Sequence, residues 1–133
     1  MREILFRGKT QDGEWAYGIP VVLGGRTYIL SDFRYGGAYI DKKVIGETVG
    51  QFTGLKDRHG KKIFEGDILR HKYGLTFNKL YTIVFDYGAF CFKTDRYITP
   101  LGDSEFGIVG SNCLIDDCEV IGNIHDNPEL LEV

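Results

Sequence analysis

The chain has 133 residues, 43% of them hydrophobic and 14% aromatic, which excludes a disordered segment and is enough to bury about two thirds of the unfolded surface in one domain or two small ones. Its formal net charge of −3 is unevenly placed. Residues 1–55 are nearly balanced, residues 56–100 carry nine basic side chains against five acidic, and residues 101–133 carry eight acidic side chains and no Lys or Arg. Such a split bears on association rather than on fold.

Eighteen Gly against three Pro, with eight Tyr and nine Phe, favour short strands and frequent reversals over long helices. Ile4–Lys9 and Glu14–Ile19 flank Gln11-Asp12-Gly13, and Asp-Gly between two apolar runs predicts a hairpin. Val21–Leu23 and Thr27–Leu30 flank Gly24-Gly25-Arg26 and predict a second one. Ser31–Lys43 shows no clear period and reads as loop with some strand.

Val49–Leu55 leads into Lys56-Asp57-Arg58-His59-Gly60-Lys61-Lys62, where the Asp57 carboxylate can cap a turn that Gly60 closes. Glu65-Gly66-Asp67 then reads as a sharp corner at the entry to a small, strongly bent SH3-like barrel, a place where a Cβ would crowd. Leu80–Phe85 and Ala89–Thr94 flank Asp86-Tyr87-Gly88, another hairpin. Cys118–Ile124 predicts a last strand. Asn127 as N-cap, Pro128 at the first helical position and Glu129 near the positive dipole end predict a short terminal helix with Leu130 and Leu131 free to pack. The expected architecture is mainly β: an N-terminal hairpin subdomain over residues 1–55, then a C-terminal barrel with its terminal helix over residues 56–133.

No apolar run approaches the roughly 20 residues of a membrane span, and Met1-Arg2-Glu3-Ile4 lacks the build of a secretion signal, so a cytoplasmic protein is expected. Cys91, Cys113 and Cys118 are an odd number without a framework and suit reduced thiols; without two close ligand pairs, no metal site is expected. His59, His71 and His125 have no base, nucleophile or orienting group at motif spacing, and no enzyme or cofactor is expected. Asp116, Asp117 and Glu119 could face a hard cation, but read more simply as solvated acids between strands.

Two partner readings follow from composition. Seventeen Phe and Tyr exceed the needs of a small core, so some are expected at the surface, joining copies of the chain into a homo-oligomer. Lys56, Arg58, Lys61, Lys62, Arg70 and Lys72, accompanied by Phe64 and Tyr73, are a candidate surface for single-stranded nucleic acid, with cations on phosphates and aromatics on bases.

The run from Glu47 to Leu69, the ending from Cys118 to Leu131, and the opening Met1–Lys9 with Gly13-Glu14-Trp15 together resemble the YopX family. The resemblance implies a β-rich phage or prophage protein with a barrel-like C-terminal part and no established activity, self-associating and acting on a host or phage macromolecule. It supplies no catalytic residue to carry over. Gly50, Gly54, Asp57, Gly60, Gly66, Asp67, Gly122 and Pro128 within the matching runs have the residue types of turns and corners, and are read as structural.

Overall fold

A computed structural model describes residues 3–31, 42–71, 80–94, 98–100 and 118–131. The chain separates into two compact units, Met1–Gly54 and Leu55–Val133. The strands are β1 (Phe6–Lys9), β2 (Trp15–Leu23), β3 (Arg26–Leu30), β4 (Lys42–Lys56), β5 (Lys62–Phe64), β6 (Asp67–His71), β7 (Leu80–Asp86), β8 (Ala89–Lys93), β9 (Ile98–Pro100) and β10 (Cys118–Asn123). Among the described residues, no helix is long and apolar enough to cross a membrane.

In the first unit β1 pairs with β2, β2 with β3, β3 with β4, and β4 returns to β1, all antiparallel, so the four strands close on themselves. Both predicted hairpins are present. Gly24 and Gly25 fill a two-residue turn with φ of 58° and 76°, the mirror-image turn that matches strand twist and suits glycine. Closure depends on a large irregularity in β4. Arg7 faces Gly50 while Lys9 faces Ile45, so four residues of β4, Gly46–Val49, stand against the single residue Gly8 of β1. The Thr48 hydroxyl fills the break, accepting the Lys9 N–H at 2.8 Å and donating to the Ile45 carbonyl at 2.6 Å.

A ring this small leaves no room at two points. A Cβ on Gly18 would fall on the Leu30 carbonyl, and one on Gly8 would sit 2.9 Å from Val44 Cγ2. Ala16, Ile29 and Val44 form the core, with Val49 against them, and the Arg7 guanidinium lies 4.5 Å from the centre of the Trp15 ring.

The second unit carries an antiparallel sheet in the order β10-β6-β7-β8-β9. Its core is Ile63, Leu69, Tyr81, Ile83, Phe92 and Cys118, with Val120 packed on it. The Tyr81 and Phe92 rings meet at 5.2 Å and 59°, a tilted arrangement their quadrupoles favour. Burying each of these side chains stabilises the unit by roughly 1.5–3 kcal/mol.

A closed ring of strands is built in the first unit, where β4 pairs with both β3 and β1. In the second unit the described strands run in the order β10-β6-β7-β8-β9, which does not by itself make the SH3-like barrel expected there. One expectation is corrected. The terminal helix is only a 3-10 turn, Pro128–Leu131. Four residues cannot repay helix nucleation, and the segment settles for the Leu130 N–H to Asn127 carbonyl bond at 3.1 Å.

Candidate functional site

Among the described residues of the second unit, the densest polar construction is the turn between β4 and β5. The Asp57 carboxylate is almost fully buried and accepts three backbone N–H groups: His59 at 2.8 Å and Lys61 at 2.9 Å through Oδ1, and Val120 of β10 at 2.9 Å through Oδ2. The turn itself closes with Asp57 N–H on the Lys61 carbonyl and Gly60 N–H on the Asp57 carbonyl. Gly60 has φ of 81°, which a side-chain-bearing residue adopts only with strain. Arg58 N–H then donates to the Cys118 carbonyl at 2.9 Å, a second tie to β10. Burial pushes the Asp57 carboxyl up, but the N–H donors of Val120, Lys61 and His59 outweigh it and hold it below the usual carboxylate range.

Glu119, directly opposite Arg70 in the β10–β6 register, fastens the same turn by its side chain. Its Oε1 accepts from Arg70 Nε at 3.0 Å and from a terminal guanidinium nitrogen, and its Oε2 lies 3.3 Å from His59 Nε2. The Arg70 bonds draw the Glu119 carboxyl below its ordinary range against the opposing effect of burial, and His59 adds to them. With one oxygen on Arg70 and the other beside His59, Glu119 brackets strand and turn.

The next corner is built by the same means. Phe64 N–H donates to Asp67 Oδ2 at 2.7 Å in a fully buried bond, Gly66 N–H donates to the Ile83 carbonyl, and the Gly66 carbonyl accepts from Ile124. Gly66 has φ of 92°. The corner is thus wedged between β7 and the end of β10, with the Asp67 carboxylate and both Gly66 backbone groups consumed by structure.

Of the predicted cation set, Lys56 and Lys61 are exposed on the two sides of the turn, while Arg58 and Lys62 are half-buried within it. Arg70 is brought beside them but is held by Glu119, so its charge is already answered. Phe64 is buried in the core and offers no face to a base. Lys72 and Tyr73 lie outside the described residues, as do Cys113, Asp116 and Asp117. Cys91 and Cys118 are buried thiols, and burial raises the Cys91 thiol.

Among the structural positions, Gly54 (φ of 88°), Gly60 and Gly66 adopt left-handed backbone. Gly50 is buried in β4. A Cβ on Gly122 would meet Asn127 Oδ1 at 2.5 Å, and Pro128 opens the 3-10 turn.

With this geometry in place, the comparisons are informative. The family model described as YopX protein matches residues 26–132. The chain belongs to the YopX family. The match takes in the Asp57 turn, the Gly66 corner and β10 together, so the clamp between them lies wholly inside the family region. The fold is similar to the crystal structure of protein EF1440 from Enterococcus faecalis, at 27% identity and a TM-score of 0.62 over 99% of this chain and 100% of that one. No curated protein matches the chain.

Neutralisation of the basic middle by the acidic end was open from composition, but the Glu119–Arg70 pair itself was not legible in the sequence. Its signal was the contrast between the basic middle and the acidic end. Reading it required the register of two strands 49 residues apart.

Proposed function

We propose that this YopX protein works by association rather than catalysis: a cytoplasmic phage or prophage accessory protein that assembles with copies of itself and engages a macromolecular partner. The observation that carries this reading is the tip of the β7–β8 hairpin. Tyr87 is 91% exposed there with φ of 52°, in the left-handed region that a bulky residue occupies only at a cost. Its side chain gains almost nothing in return from its own chain. Phe85 is half exposed beside it and meets Phe90 across the strands at 5.1 Å in an edge-to-face pair, giving the tip a firm aromatic base. An aromatic ring held out on a rigid hairpin, in place of the Asn or Gly the turn prefers, fits an anchor that inserts into another protein surface.

Light scattering behind a sizing column tests this. The wild-type protein is expected well above its 15.1 kDa chain mass at micromolar concentration, and Tyr87→Asn is expected to move it toward that mass. A clean wild-type monomer overturns the self-association.

A further inference from the structure

We propose that the turn from Lys56 to Lys62 is a docking surface for the phosphate backbone of a nucleic acid, contacted through Lys56 and Lys61 and read for charge rather than for bases. Four of its seven residues are Lys or Arg. The acidic member, Asp57, is turned inward and spends its carboxylate on three backbone donors, so its charge is withdrawn from the surface. Among the described residues, the nearby Glu119 is committed to Arg70 and His59. A positive excess therefore stands on a turn whose shape is fixed from beneath, with Lys56 ending one strand, Lys62 starting the next and Lys61 beside it. Gly60 leaves the top of the turn open: a Cβ there would meet nothing within 4 Å.

The occupant follows from what accompanies these cations. Protein partners anchor on exposed aromatic and apolar side chains, and among the described residues none of the large exposed apolar groups falls between Lys56 and Glu65. Phosphate binding needs charge and access alone. Because Phe64 is buried, base stacking on it is unavailable, and single strands and duplexes should be accepted alike.

Fluorescence anisotropy with a labelled 20-nucleotide strand and its duplex tests the proposal. Two phosphate contacts predict a roughly tenfold fall in affinity between 50 and 200 mM salt. Lys56→Gln/Lys61→Gln should lower the salt slope by about 2 for both probes, with urea unfolding showing that the variant remains folded. Lys42→Gln/Lys43→Gln, in the first unit, should leave binding unchanged. The surface does not rest on assembly, so Tyr87→Asn should keep the wild-type slope even if it loses self-association. Absence of binding at 50 mM salt, a salt-independent affinity, or equal loss in both lysine pairs overturns the proposal. Polyglutamate competing as well as the duplex also overturns it, and assigns the turn to an acidic protein instead.

Discussion

Replacing Asp57 with Ala withdraws an acceptor from three backbone donors at once, and the cost can be built up bond by bond. The His59 and Lys61 N–H groups sit in a turn that water can reach, so each loses about 0.5–1 kcal/mol of net hydrogen bonding. The Val120 N–H belongs to β10 beneath the turn and loses a charge-assisted bond, about 1.5–2 kcal/mol. The sum is about 3 kcal/mol, a large part of the 5–15 kcal/mol typical of a domain, and should lower the melting temperature by on the order of 10 °C. Asp57→Asn keeps one oxygen but presents an amide N–H₂ to one donor, and should fall between wild type and Ala. Urea unfolding followed by circular dichroism gives both differences. If Asp57→Ala unfolds within about 0.5 kcal/mol of wild type, within the range of an unremarkable surface change, the clamp holds nothing and the reasoning fails.

Acid should act through the same group. The folded carboxyl titrates below its ordinary value near 3.9, so its contribution is complete above that pH and fades as pH falls through the lower folded value. The stability gap between wild type and Asp57→Asn should thus close below about pH 4 in a pH series of urea curves. Gly66→Ala should cost about 1–2 kcal/mol through backbone strain, because its Cβ would find ordinary contacts at 3.7 Å or more, and Gly66→Val should impair folding and assembly together. Gly122→Ala should cost about 1–3 kcal/mol by driving Asn127 off the Asn123 N–H, and much less in an Asn127→Ala background, which a double-mutant cycle would show. Tyr87→Asn should stabilise the monomer by about 0.5–1 kcal/mol in thermal melts even as it weakens self-association, since Asn tolerates the left-handed turn.

Local features were legible in the sequence wherever one residue type meets one backbone need. Gly24-Gly25 and Gly88 mark their turns because positive φ is needed there, and Asp57 was readable as a cap because its partners His59 and Lys61 lie within four residues. What stayed hidden depends on distant chain. No local pattern announces that β4 breaks at Gly46–Val49 and pairs both β3 and β1, so the ring in the first unit was not foreseen. Arg70 looked like a free cation because Glu119 meets it only through strand register. Phe64 counted as a stacking aromatic until the core claimed it.

The bond from Val120 to Asp57 spans 63 residues, and that separation sets an order of events. On the ribosome the turn emerges first, its carboxylate holding two of its three donors, and stands without a strand beneath it until Cys118–Asn123 arrives. The clamp can lock only once β10 has been made. Loop-closure entropy grows slowly with length, so doubling the chain between turn and strand would cost only about 0.6 kcal/mol.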